Sequence, residues 1–350
     1  MEKPIKFTDF LYQGYTDSLG GGVSSNFFHD HVFVDIISLE NLFLAWHEFK
    51  KGKAKKPDVQ EFEFNIEENI FQLHEELKSW TYQHSRYTAF YITDPKLRHI
   101  HKACVRDRVL HHAIFRILYP IFDKSFIFDS FSCRLNKGTH RAVRRLKRFA
   151  QRLSRDDSRN IFALKCDVKK FFDSIVHQIL LELIQEKIKD EDAVWLVRKI
   201  IQSFKVQNDK GLPIGNVTSQ LFANIYLNEL DRFVKHKLAI KYYLRYCDDF
   251  VILSSDSCHL LDIVGRIQDF LNSRLKLSLH PNKVIIRKHN QGIDFLGYVV
   301  RPYCITLRTK TKNRMLRKVS TKNLTSYLGI LKHCAGYKLE KKVTDTTTII

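Results

Sequence analysis

The sequence predicts an α+β fold in which a sheet-rich centre is flanked by helical lobes, and three observations predict it. Residues 161–305 hold the strongest β signals, IFALKC, YYLRY, FVILSS, KVIIR and FLGYVV, with helical stretches at 176–188 and 218–238 between them. An acidic doublet, Asp248-Asp249, lies between two apolar runs, the pattern of a hairpin with its acids at or beside the turn. A length of 350 residues exceeds what one core usually holds, so two or three lobes are expected.

Taken in order, residues 1–35 contain Gly20-Gly21-Gly22 and read as a loose lead-in. A helix follows Ser38 as its N-cap, and a second follows Asn65, with Glu68 completing a capping-box-like pattern. KKGKAKKP reads as a basic connector between them. Residues 86–155 mix short strands and helices, and from Arg134 to Arg155 there are cations throughout and no acid. That run is either a solvated helix face or a nucleic-acid contact; cations without acidic i,i+4 partners repel one another, and a phosphate backbone relieves this. From about 306 the chain turns basic and helical. Tyr327, Leu328, Leu331 and Tyr337 read as core.

The charge narrows the partners. A net charge of +20 and a pI near 9.6 call for a polyanion, nucleic acid or an anionic membrane surface. No stretch approaches the ~20 apolar residues needed to span a bilayer, and MEKPIKFTDF has no apolar signal core. The seven cysteines are scattered without a CxxC pair, which points to a reducing cytoplasm. The sixteen histidines, including His99, His101, His111 and His112, lack an HExxH pattern and read as ordinary surface or core residues.

Chemistry concentrates in three segments. Adjacent carboxylates raise one another's pKa unless a cation compensates, so a doublet between apolar strands asks for metal. Asp156-Asp157, among polar neighbours, is a solvated loop by comparison. In IFALKCDVKKFFDSI, Asp167 ends a strand and reaches the doublet if the two strands are neighbours. Three carboxylates suit Mg²⁺, and a two-metal site activates a 3′-hydroxyl and stabilises a leaving pyrophosphate. Asp173 reads as an N-cap with Ser174. In GLPIGNVTSQ, Pro213, Gly211 and Gly215 make a tight turn from which a helix starts near Thr218 or Ser219, close enough for a base pair to approach the backbone.

Together these stretches resemble the palm motifs of reverse transcriptases. DVKKFF resembles the first metal-binding motif, GLPIGNVTSQ the helix-initiating motif, YCDD the YxDD box, HPNKV the lysine motif, and FLGY the primer grip. RHIHKACVRDRVLHHAI and DSFSCRLNKGTHRAV resemble the preceding finger motifs, and the match runs from about residue 65 to 343. The resemblance implies a right-hand polymerase fold: an N-terminal extension to residue 64, fingers 65–160, palm 161–305 and a small helical thumb 306–350. It makes Asp167, Asp248 and Asp249, with Val168, the holders of two Mg²⁺ ions (Mn²⁺ substituting), and Lys283 a catalytic lysine near the leaving group. Phe172 would be the gate against a ribose 2′-hydroxyl, and Arg98 and Arg134 would approach the triphosphate. Ile214, Gly215 and Gln220 would line the nucleotide, and Tyr246 with Phe295, Leu296, Gly297 and Tyr298 would touch primer and template. Viral RNA polymerases usually place a second Asp five after the first; here Phe172 stands there, which favours DNA synthesis.

GLPIGNVTSQ, GTHRAVRRLKRF and SYLGILKHCAGYKL are most similar to diversity-generating retroelement enzymes, relatives of the group II intron type. Most reverse transcriptases have Gln where this chain has Ile214, which implies reduced fidelity. Anti-phage defence enzymes working with a noncoding RNA share the same small architecture. The implied partners are an RNA template, a DNA or RNA primer, dNTPs, a dedicated noncoding or template RNA and an accessory protein, without a membrane. A silent RNA-binding scaffold has no use for three uncompensated carboxylates.

Overall fold

The computed structural model describes residues 31–94 and 96–348. In chain order the elements are α1 (Val32–Ile37), α2 (Leu39–Lys50), α3 (Pro57–Phe64), α4 (Ile66–Lys78), β1 (Thr88–Ile92), β2 (Arg98–Lys102), α5 (Val105–Asp123), α6 (Thr139–Ser154), β3 (Phe162–Asp167) and α7 (Phe171–Ser174). They continue with α8 (His177–Gln185), α9 (Glu191–Gln202), α10 (Val217–Arg232), β4 (Tyr243–Tyr246), β5 (Asp249–Ser254), α11 (Ser257–Phe270), β6 (Ile285–Lys288), β7 (Ile293–Phe295), β8 (Tyr298–Val300), β9 (Ile305–Leu307), α12 (Thr309–Lys318), α13 (Leu324–Leu331) and α14 (Tyr337–Thr348). The chain divides into two compact units, and it crosses between them several times.

The first unit holds residues 31–127, 169–231 and 270–278. Its core forms where α2 packs on α5, bringing Leu42, Trp46 and Phe49 to the face that carries Val109, Leu110 and Ala113. Ser38 caps α2 by accepting the Asn41 amide at 3.2 Å, as the sequence predicts. Asn65 makes no side-chain cap to α4, so the capping-box expectation fails there. The stretch after the basic connector also folds as α3, because Pro57 at the first helical position starts a turn that buries Val59 and Phe62. Asp173 is no cap either: it lies within α7, and Ser174 Oγ donates back to the Lys170 carbonyl at 3.0 Å.

The second unit holds residues 128–168, 232–269 and 279–348. Its main sheet has the order β4-β5-β3-β6, antiparallel throughout. A second, three-stranded sheet runs β7-β8-β9. FLGYVV, expected as one β segment, is split between β7 and β8, because Leu296 and Gly297 take φ values of 52° and 87° and turn the chain. The underside of α6 (Val143, Leu146, Phe149) shares one core with Leu244, Val251 and Leu253 of the main sheet and with Phe295, Tyr298 and Val300 of the second. Each such side chain contributes ~1.5–3 kcal/mol when buried, which holds a helix dense in cations against the sheets. Met315, Leu331, Leu339 and Val343 make a separate core among α12, α13 and α14. Tyr337, expected in that core, is 81% exposed; it opens α14 on the side turned away from it.

Candidate active site

Strand register brings the acids together. β3 and β5 pair so that Asp167 stands directly opposite Asp249, and β4 and β5 pair so that Tyr246 does too. Asp248 occupies the β4–β5 turn, where its carbonyl accepts the Val168 amide at 3.2 Å. The turn depends on Cys247 at φ 56°, a left-handed conformation that a non-glycine residue adopts only when its surroundings hold it. The holder is Arg245. Its guanidinium is fully buried, donating to the Cys247 carbonyl at 3.0 Å and to Ser130 Oγ at 3.1 Å. Its backbone bonds the Asp129 carbonyl and the Phe131 amide, each at 2.9 Å, laying segment 129–131 beside β4.

Two lysines meet the acids. Lys283 Nζ lies 2.9 Å from Asp167 Oδ1, brought there by a 3₁₀ turn that the His280 amide fastens to the Asp167 carbonyl at 2.7 Å. Lys165, two residues before Asp167 on the same face of β3, sits 3.5 Å from Asp249 Oδ2. Asp249 Oδ1 is buried without a hydrogen-bond partner. Burial, and then the Asp167 charge, raise the Asp248 carboxyl above its ordinary value. Burial pushes Asp249 up to about 6 against the pull of Lys165.

These acids fit divalent cations: the donors are hard oxygens, and one of them is buried and unsatisfied. Among the described residues no three such side chains converge on a ready-made cage. Lys165 and Lys283 stand beside the acids, paired with Asp249 and Asp167.

The family model described as reverse transcriptase (RNA-dependent DNA polymerase) matches residues 93–300. The chain belongs to the reverse transcriptase family. It is 26% identical over 289 residues to protein YkfC of Escherichia coli K12, covering 71% of this chain and 74% of that one. It is also 26% identical over 308 residues to the group II intron-encoded protein LtrA of Lactococcus lactis subsp. cremoris, covering 67% of this chain and 50% of LtrA. It therefore spans about half of LtrA's length. Apo telomerase from Candida tropicalis superposes with a TM-score of 0.51 at 15% identity, over 71% of this chain and 52% of that one. At that identity the likeness speaks for the fold alone, the right-hand polymerase architecture.

In this reverse transcriptase the remaining sequence-selected residues divide between the units. Tyr246, Arg134, Phe295, Leu296, Gly297 and Tyr298 share the second unit with the acids. Arg134 is buried and donates to the Ser130 carbonyl at 3.1 Å, while the Tyr246 hydroxyl accepts from Thr139 Oγ1 at 3.2 Å. Arg98, Phe172, Ile214, Gly215 and Gln220 lie in the first unit. There the Ile214 carbonyl accepts the His101 amide at 3.0 Å. Gly215 has φ 123°, and a Cβ on it would meet Ile100 at 2.9 Å, so both backbone and space demand glycine. Gln220 is buried with Oε1 unpartnered.

Two groups escaped the sequence reading. Strand alternation from Asp167 already puts Lys165 on the acid face, a signal available in the sequence. The second is a buried polar chain in the first unit. Asp107, fully buried, accepts from Tyr82 Oη at 3.0 Å and from the Ser85 amide at 2.8 Å. His84 Nδ1 lies 3.6 Å from the same carboxylate, and its Nε2 meets His111 Nε2 at 3.1 Å. His111 Nδ1 ends the chain on Thr218 Oγ1 at 3.1 Å, in the first turn of α10. Nothing in the spacing of these residues announces it. Among the described residues no helix is long and apolar enough to cross a membrane.

Proposed function

We propose that this chain extends a DNA or RNA primer with dNTPs on an RNA template, using Asp167, Asp248 and Asp249 to hold two divalent ions, Mg²⁺ or Mn²⁺. The observation that carries the reading is the pairing of Asp167 opposite Asp249, with Asp248 in the adjoining turn. Held there, divalent ions would supply Lewis-acid activation of the primer 3′-hydroxyl and charge neutralisation at the pyrophosphate. The protein's own groups then act around them. Asp167 and Asp249 would hold the ions from neighbouring strands, with Asp248 in the adjoining turn and the Val168 carbonyl adding oxygens. Lys283 Nζ exchanges its contact with Asp167 for the pyrophosphate oxygens and delivers a proton to the leaving group. Phe172 excludes a ribose 2′-hydroxyl, Arg98 and Arg134 serve the triphosphate, and Gly215, Ile214 and Gln220 line the nascent base pair. Phe295, Leu296, Gly297 and Tyr298 hold the primer, with fingers 65–160, palm 161–305 and thumb 306–350.

The role we favour is a low-fidelity enzyme of a diversity-generating retroelement, acting with a dedicated template RNA. Its support is Ile214, an apolar side chain at a position where glutamine is usual. Primer extension on a heteropolymeric RNA template, with Asp248→Asn alongside, tests the polymerase reading. Extension by the wild type that falls by at least a thousandfold in the variant is expected. Equal activity in both would overturn the metal assignment.

A further inference from the structure

The polar face of α6 carries more charge than the carboxylate site uses. Its underside is buried, whereas Arg141, Arg144, Arg148 and Arg152 are exposed at spacings of three and four, so they form one stripe. Arg141 also donates to the Asn136 carbonyl. No carboxylate pairs with Arg144, Arg148 or Arg152 among the described residues, and residues 134–155 contain no acid. Arg145 differs: it turns inward and is neutralised by Asp129 at 2.7 Å. The helix thus separates a paired cation on one flank from unpaired ones on the outside.

Position gives the stripe a direction. The N-terminus of α6 touches the YCDD segment through Thr139 and Tyr246. At 1.5 Å per residue, Arg152 lies about 16 Å further along the axis than Arg141. Beside the middle of the stripe stands the turn between β8 and β9, where Lys147 Nζ donates to the Tyr303 carbonyl at 3.4 Å. Tyr303 is 85% exposed, next to the exposed Arg301. This turn closes the end of the three-stranded sheet opposite to Leu296-Gly297. An exposed tyrosine in a turn that touches the arginine helix offers the two contacts that single strands favour, phosphate on guanidinium and base on ring.

We propose that Arg144, Arg148 and Arg152, with Tyr303, bind a single-stranded segment of RNA as it leads away from the polymerase site. The choice of RNA rests on the reverse-transcriptase reading; the charge and the ring require only an unpaired polynucleotide. The rise between successive arginines, about 4.5–6 Å, lets consecutive phosphates be met by consecutive turns of one helix.

The test measures binding without polymerisation, so it stands whether or not primer extension succeeds. Fluorescence anisotropy of a labelled single-stranded RNA is followed across a salt series. The variants are Arg144→Ala/Arg148→Ala/Arg152→Ala, the same three positions changed to Lys, and Tyr303→Ala. The alanine triple is expected to bind about tenfold or more weakly, with a log–log salt slope shallower by roughly 2. The lysine triple keeps most of the affinity, since a phosphate accepts either cation. Tyr303→Ala loses about fivefold or more with the slope unchanged, because stacking releases no counterion. Extension of a minimal primer–template with one unpaired template base is unchanged in all three. Unaltered RNA affinity and slope in the alanine triple overturn the proposal. So does an equal loss on the minimal substrate, which makes the stripe part of the duplex site. Loss of binding to anionic phospholipid vesicles with RNA binding intact also overturns it, assigning the face to a membrane surface.

Discussion

Lys165 reaches diagonally across the β3–β5 pair to Asp249, with Nζ 3.5 Å from Oδ2, and sets a cationic side chain beside the acids. Burial holds the Asp249 carboxyl at about 6, so at pH 8 deleting Lys165 leaves a mostly buried carboxylate beside two others. Lys165→Met is expected to lose about 1–2 kcal/mol of stability in EDTA, and excess Mg²⁺ should restore most of it. Urea denaturation with and without the metal reads this directly. An equal loss in both conditions would show that Lys165 only packs.

The Cys247 carbonyl is held by the buried Arg245 guanidinium, so the position of Asp248 depends on a planar fork that lysine does not reproduce. Arg245→Lys should lower kcat about 10–100-fold while the dNTP KM changes little, because the ligand geometry shifts and the nucleotide contacts do not. Steady-state primer extension separates the two constants. A variant altered only in KM would move Arg245 out of the carboxylate hairpin's support and into nucleotide binding.

Two histidines make the fold acid-sensitive. Burial lowers His111 and His112 to about 3 each. Between that value and about 6.5 the unfolded chain binds protons that the folded chain refuses, so stability rises with pH in this window. Fully expressed, the two sites contribute a slope of about 2.7 kcal/mol per pH unit near pH 5, and it vanishes above about pH 7. His112→Leu should remove about half of that slope in denaturation curves taken from pH 4.5 to 7.5. An unchanged slope would mean that His112 is protonated in the folded protein.

Ile214, which we propose lines the nascent pair, has no hydrogen-bonding group on its side chain. Ile214→Gln is expected to reduce misincorporation opposite template adenine by roughly fivefold, the effect of one ordinary hydrogen bond. Single-nucleotide insertion kinetics with correct and incorrect dNTPs measure it, and equal error rates in the two proteins would refute the low-fidelity reading.

The sequence by itself determined β3, β4 and β5, the acids and their family. Short apolar and β-branched runs bounded by polar residues locate β3, β4 and β5, because strands covered on both faces read as near-continuous apolar segments, and the acids stand where those runs stop. The reverse transcriptase motifs are equally local, each a short run whose residues act within one turn or strand end. Only the tertiary structure decided which side chains balance that site. Lys283 reaches Asp167 across 116 positions, and Arg245 reaches Ser130 across 115. The same holds for His111 meeting Thr218, 107 positions away. Even α3 and the failed cap at Asn65 belong here, since tertiary burial of Val59 and Phe62 outweighs local composition. Strand and helix periods are written in neighbouring residues. Charge compensation in a buried site depends on distances through space, and those appear only once the chain has folded back on itself.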